Sequence, residues 1–345
     1  MKISILLPYK ENFTPDYAGA VSLFLNDTIK LSKYKKNIQV FGNTSFKKKL
    51  LTNYTNLKFT KFFFKSSSKS YVKKFLDEEK IKNSNLIEIH NRPEYINSIY
   101  KQNKNIVLYF HNNPLEMKLA KTVNERINLY NKTKKIIFNS NWTLNQFTKG
   151  LNKKYITNKL EVIYQSTSKK IINFKNKKKI ILFVGRLNIS KGYDIFGEAI
   201  IRVLNNYPDW NAIVIGDEPR EKHVFKHRNL KILGFQKNNI VTKWFINSDI
   251  SVVCPRKTEP FGRTALEASS AGCALIITDK GGLIEASPKA MKLKTLTVKN
   301  IEKSIKKLIK NESFKKSLQK RIYNHFYLTN NYISKKIDRY RDKLI

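Results

Sequence analysis

Short runs rich in Ile, Val and Phe alternate with longer segments of helical periodicity along nearly the whole sequence. In the first half the runs are ISILLP (3–8), IQVFG (38–42), KFTKFFF (58–64), LIEIH (86–90), IVLYFH (106–111), KIIFNS (135–140) and LEVIY (160–164). Between them lie segments such as GAVSLFLNDTIKLSKY and PLEMKLAKTVNERINLY, whose apolar residues return at helical intervals. The second half repeats the pattern with IILFVG (180–185), WNAIVIG (210–216), LKILGF (230–235), DISVVCP (249–255) and ALIIT (274–278). Strand, helix, strand in this order predicts an α/β fold of parallel sheets covered by helices on both faces.

A chain of 345 residues suits two such domains, each large enough to bury its own core. The charged stretch SKKIINFKNKKK (168–179) reads as the linker between them. The expected division is a first domain over 1–168, a second over 178–325, and a helical tail over 326–345 that would cross back to the first. Ligands of doubly wound sheets bind beyond the carboxyl ends of the strands, so the active site is expected in a cleft between the two domains.

The net charge of +41 has two readings. Lys and Arg release counterions from phosphates and would favour nucleic acid or an anionic membrane. The excess is, however, spread through every segment alongside Asn and Ile, as an AT-rich genome would produce, and a dispersed field defines no site. No nucleic-acid recognition motif accompanies it, so no nucleic-acid partner is expected. Cys254 and Cys273 both lie in apolar runs, as free buried thiols of a reducing compartment do. The apolar run in MKISILLPYK is too short for a signal peptide, and no stretch approaches a membrane span, so a cytoplasmic protein is expected.

Chemistry concentrates at the ends of two strands of the second half. After IILFVG the sequence FVGRLNISKG sets Arg186 and Lys191 on one loop, where two cations can hold a diphosphate from two directions. In EPFGRTALEASSAGCALIIT, Glu259 belongs to a loop at the sheet's carboxyl edge, and Arg263 to Ala271 read as a small-residue helix whose amino end points at that edge. Glu267 lies one turn into that helix, where a carboxylate can accept from both hydroxyls of a ribose. No Asp-x-Asp pair and no His or Cys cluster of ligand spacing is present, so no metal or other cofactor is expected.

These two stretches, with DKGGLIEAS after them, resemble the donor domain of glycosyltransferase family 4, the retaining GT-B enzymes that carry an E-x7-E signature. The resemblance covers the second half closely and the first half more loosely. It implies two Rossmann-like domains and a nucleotide-sugar donor, UDP- or GDP-linked. Arg186 and Lys191 would grip its diphosphate, Glu267 would bind the ribose, and Glu259 would contact the sugar hydroxyls in a catalytic role. Gly262 would complete the donor side, and Gly281, Gly282 and Leu283 would form the turn whose amides approach the sugar and phosphate; Arg263 is less usual for the family at its position and is read as a phosphate or acidic-sugar contact on the donor side. In the first half DYAGAV resembles the glycine loop after the first strand, which makes Gly19 the diphosphate-facing residue although Ala20 stands where family members commonly have a second Gly. His111, in YFHNNP, would be the histidine near the transferred sugar, and His90, in IEIHNRPEY, a contact for the acceptor.

The expected reaction is metal-independent transfer of a hexose, with retained configuration, to a glycan or lipid-linked acceptor in lipopolysaccharide or other cell-surface polysaccharide assembly. Front-face displacement is favoured over a covalent intermediate on Glu259. Rival readings are a basic nucleic-acid- or membrane-binding GT-B pseudoenzyme without turnover, and a phosphorylase or nucleotide-sugar epimerase of the same architecture. FKKKLLTNYTNLKFTKFFFK (46–65) mixes Lys with Phe and Tyr and would suit peripheral docking on the inner face of an anionic membrane; a core strand flanked by solvated lysines reads equally from the same residues.

Overall fold

In a computed structural model, which describes residues 2–58, 67–102 and 105–344, the two series of apolar runs become two parallel sheets. The chain divides into one unit of residues 1–166 with 330–345 and a second of residues 167–329.

The first unit starts with β1 (Ile3–Leu6), α1 (Ala20–Ile29), β2 (Ile38–Gly42), β3 (Tyr54–Asn56) and α2 (Ser67–Lys82). It continues through β4 (Leu86–His90), α3 (Ile96–Ile99), β5 (Ile106–Phe110), α4 (Val123–Lys132), β6 (Lys135–Phe138), α5 (Asn141–Thr148) and β7 (Leu160–Val162). Its strands lie in the order β3-β2-β1-β4-β5-β6-β7, every pair parallel. β1, β4 and β5 are buried along their whole length, as expected of strands covered on both faces. Helix starts are set by local chemistry. Thr122 and Glu125 form a reciprocal capping box at α4, and the Ser140 hydroxyl accepts from the Thr143 amide at 2.9 Å to start α5.

The second unit contains β8 (Lys178–Val184), α6 (Tyr193–Asn206), β9 (Asn211–Ile215), β10 (Leu230–Ile232), α7 (Asn238–Asn247) and β11 (Ser248–Val253). After these come α8 (Arg263–Ser270), β12 (Ala274–Thr278), α9 (Leu283–Ala286), β13 (Met291–Leu293), α10 (Val298–Lys310) and α11 (Glu312–His325). The strand order β10-β9-β8-β11-β12-β13 is again wholly parallel. α10 packs Ile301, Ile305 and Leu308 inward at intervals of three and four and leaves lysines outward.

The expected α/β architecture of two doubly wound sheets is the one observed, with differences at its margins. β3 (Tyr54–Asn56) and β13 (Met291–Leu293) fall outside the runs read from sequence, because these three-residue edge strands, YTN and MKL, contain no Ile- or Val-rich run. The run KFTKFFF lies, apart from Lys58, outside the described residues. The stretch 168–179 is not a free linker. The Lys170 amide donates to the Ser270 carbonyl at 3.0 Å, Phe174 packs edge-on against Tyr323 at 5.7 Å, and β8 already begins at Lys178.

The last helix, α12 (Asn330–Leu344), belongs to the first unit and packs against α1. Ser334 donates to the Thr28 carbonyl at 2.9 Å, and Asp338 accepts from the Ser32 hydroxyl at 2.6 Å and the Lys33 amide at 2.9 Å. Deeper in, Arg341 holds Glu88 of β4 through two parallel bonds, Nε to Oε1 and Nη2 to Oε2, both 2.8 Å. Both side chains are almost wholly out of water. Removing one member of a buried pair leaves the other charge uncompensated, which typically costs ~3–5 kcal/mol. Arg341→Ala is therefore expected to lower the thermal midpoint of the first unit far more than Lys33→Ala, which deletes an exposed ion pair with Asp342. Differential scanning calorimetry of the two variants checks this, and equal small shifts would refute it.

Candidate active site

In the second unit the polar loops gather at the carboxyl ends of β8, β11 and β12. Lys191 is placed by a single turn of helix, Ile189–Lys191, capped by the buried Asn188, whose Oδ1 accepts from the Lys191 amide at 3.0 Å. Asn188 is itself held by the Glu218 carboxylate at 3.3 Å. The loop after β11 is tied to this turn by the Arg256 amide, which donates to the Ser190 carbonyl at 3.0 Å. These bonds bring the Lys191 ammonium onto Glu259 Oε1 as a half-buried ion pair.

Glu259 is also held through its backbone. Its carbonyl accepts from the Gly282 amide at 2.8 Å, and it forms a parallel bridge with Gly281. Gly281 has φ of +65°, and a Cβ there would sit 2.3 Å from the Glu259 carbonyl oxygen, so only glycine allows this approach. Gly262 precedes α8 and lies against Leu283, whose Cδ1 would be 2.4 Å from an added Cβ. Lys191, Glu259, Gly262, Gly281, Gly282 and Leu283 thus form one connected cluster. The first turn of α8 has no side-chain cap, so its amides face this edge as donors and carry the positive end of the helix dipole.

The Glu267 Oε1 accepts from Arg263 Nε at 2.9 Å, with both side chains largely buried. Arg263 is therefore first of all the partner of Glu267. Arg186 opens the same loop as Lys191, but its side chain is exposed and has no ion-pair partner among the described residues. Among the described residues no group of three or more His, Cys, Asp or Glu side chains is arranged to hold a metal ion.

In the first unit Gly19 is the N-cap of α1. What meets it is the Glu11 carboxylate, whose Oε1 accepts from the Ser22 amide at 3.0 Å and would lie 2.3 Å from a Cβ on Gly19. Burial raises the pKa of Glu11, opposed by the Ser22 amide. Sequence reading missed Glu11, which carries no motif of its own. His111 follows β5 and is fixed through its backbone. Its amide donates to Asn91 Oδ1 at 3.2 Å, and its carbonyl accepts from Asn139 Nδ2 at 2.9 Å. Phe24 of α1 packs edge-on to its ring at 5.6 Å.

His90 requires a correction. It was expected to touch an acceptor, but it has no exposed surface. Its ring stacks on Tyr109 at 4.3 Å, and its Nδ1 is 2.9 Å from His111 Nε2. Burial, with the Arg341 charge added, pushes the His90 pKa down to about 3; burial and the neighbouring His90 hold His111 well below the ordinary histidine range. Both rings are neutral at physiological pH.

Two parallel-sheet units with functional loops at their strand ends define a GT-B glycosyltransferase fold. The structure is similar over 99% of both chains to Anabaena HepE crystallised in complex with UDP and glucose, with a TM-score of 0.74 and 17% identity. Residues 165–325 match the family Glycosyl transferases group 1, in line with the resemblance read from the motifs. An uncharacterized glycosyltransferase of Methanocaldococcus jannaschii is 30% identical over 122 residues, 33% of this chain and 30% of that one. The lipopolysaccharide core biosynthesis mannosyltransferase LpsB of Rhizobium meliloti is 30% identical over 131 residues, 35% of this chain and 37% of that one. The match thus spans about a third of the length of these curated relatives.

The depressed histidine pKa values predict a pH dependence of stability. The unfolded chain binds protons near pH 6.5 while the folded pair stays neutral, so stability is complete above about 6.5 and is lost as pH falls toward 3. Each histidine contributes up to ~1.4 kcal/mol per pH unit in that window. Thermal unfolding between pH 7 and 5 should therefore show a steeper loss for the wild type than for His111→Asn. Parallel slopes would mean that the folded pair protonates normally.

Proposed function

We propose that this protein transfers a sugar from a nucleotide-sugar donor, UDP- or GDP-linked, to a glycan or lipid-linked acceptor, with retention of configuration. The observation that carries the reading is the cluster of Lys191, Glu259 and the Gly281–Gly282 turn beside the uncapped start of α8. Such an edge offers a cation and oriented amides to a diphosphate and a carboxylate to sugar hydroxyls. In this reading the departing diphosphate is neutralised by Lys191, Arg186 and the α8 amides through preorganised electrostatics, without a metal. Glu267, held by Arg263, accepts from the ribose. His111 meets the sugar, and front-face displacement is preferred to a covalent adduct on Glu259. The UDP named for HepE and the mannosyl transfer named for LpsB support the donor class and a role in lipopolysaccharide or other surface-polysaccharide assembly.

Thermal-shift screening with UDP, GDP and ADP and their sugars, with and without EDTA, tests the donor, because a ligand of the native state raises its midpoint. One nucleotide should give a clear shift that EDTA leaves intact. Lys191→Ala should then reduce kcat/KM by ~100- to 1,000-fold, and Glu267→Ala should weaken nucleotide binding by ~10-fold or more. No shift with any nucleotide would overturn the reading.

No helix among the described residues is long and apolar enough to cross a membrane. A lipid-linked acceptor would instead bring the protein to the cytoplasmic membrane face by its charge. Sedimentation with anionic liposomes should fall steeply between 50 and 300 mM salt, and lack of binding at low salt would remove the membrane part of the proposal.

A further inference from the structure

The mechanism proposed above uses His111 and leaves His90 without a task, although His90 is the more firmly held of the two. Its ring is stacked on Tyr109 at 4.3 Å with an interplanar angle of 13°. The Tyr109 hydroxyl is 2.5 Å from that of Tyr340, which in turn donates to Glu88, the carboxylate clamped by Arg341. A continuous buried chain therefore runs from α12 to the one nitrogen that His111 shares with a neighbour.

We propose that His90 is a positioning residue that fixes His111 as a hydrogen-bond donor: His90 Nδ1–H donates to His111 Nε2, and His111 carries its own proton on Nδ1. Two neutral imidazoles hold two ring protons between them, and their mutual bond uses one. The other must sit on His111 Nδ1 or on His90 Nε2, and neither atom has a partner among the described residues. A buried N–H without an acceptor is unfavourable, whereas a bare ring nitrogen costs less. Both unpartnered nitrogens are buried, but His90 has no accessible surface at all whereas His111 keeps 6%, so the surplus proton is assigned to His111, the residue nearer the surface and a ligand. His111 then offers an N–H to an oxygen of the substrate, a sugar hydroxyl or the departing phosphate oxygen, and does not act as a base. His90, through Nδ1–H, excludes the opposite tautomer.

This inference rests on the reading that His111 meets the transferred sugar, and its test separates the two. Two-bond 1H–15N spectra of the histidine-labelled full chain at pH 7.5 report which ring nitrogen is protonated, whether or not any sugar is transferred. Both His90 and His111 should show Nδ1–H. His90→Leu should move His111 to the Nε2–H form and lower kcat at least about tenfold while donor KM changes less than about threefold. In His90→Asn the amide can donate from nearly the same point, so the Nδ1–H form of His111 and most of kcat should return; a merely structural role would make the two variants alike. An Nε2–H form of His111 in the wild type overturns the proposal, as does an unchanged kcat in His90→Leu. Correct tautomers in a protein that transfers no sugar would leave the positioning intact and overturn the proposed function instead. Should His90→Leu fail to fold, the wild-type spectrum and the Asn variant still decide.

Discussion

Parallel strands fix where chemistry can occur in this protein. Every strand pair is parallel and most strands return through a helical crossover, so all strands of a sheet end at the same edge, and its central strands are covered on both faces and denied to ligands. The consequence is visible in the residues. Ile3 to Leu6 of β1, Ile87 and Ile89 of β4 and Leu275 to Ile277 of β12 are fully buried, and the polar side chains appear just past the strand ends, at Glu11, Asn91, His111, Lys191 and Glu259. The apolar runs that make the fold therefore also set the positions from which a site can be assembled.

A second constraint is charge. In a chain with a formal charge of +41, carboxylates are scarce, and four that are buried or half-buried are committed to a defined partner. Glu259 takes Lys191, Glu267 takes Arg263, Glu88 takes Arg341 and Glu11 takes the amide end of α1. The dispersed lysines are mostly solvated and carry little local information. Position in the fold, not sign of charge, separates the functional groups from the background.

This also explains how much was legible in the sequence. Short Ile- and Val-rich runs, such as IVLYFH and ALIIT, announce buried parallel strands because they are short, rich in β-branched and aromatic residues, and apolar on both faces. β3 and β13 escape because their three residues, YTN and MKL, belong to no apolar run, unlike the equally short edge strands β7 and β10. At the site, the spacing of Glu259 and Glu267 and the glycines at 281 and 282 were readable, since backbone approach and helix position depend on local sequence. The partners were not. Arg263 on Glu267 is a rotamer choice one helical turn long, and His90 on His111 joins residues of neighbouring strands whose side-chain directions only packing decides. Arg341 on Glu88 spans 253 positions and has no local signature at all.

The committed carboxylates bear on how a donor would be received. On the proposed reading, a diphosphate arriving at the β8 edge would meet Arg186 exposed and Lys191 engaged with Glu259. Arg186 can therefore capture it without breaking any contact, whereas Lys191 must turn from one anion toward another. That exchange nearly conserves charge pairing for the lysine, so it costs little electrostatically, and it frees a Glu259 oxygen when a sugar hydroxyl needs an acceptor. Arg263 is the more buried of the two cations, 11% exposed against 28% for Lys191, so the same turn would cost it more. The two ion pairs of the site thus differ in degree: Lys191 with Glu259 is the one more suited to open on binding, and Arg263 with Glu267 the one more suited to stay closed and keep one carboxylate oriented.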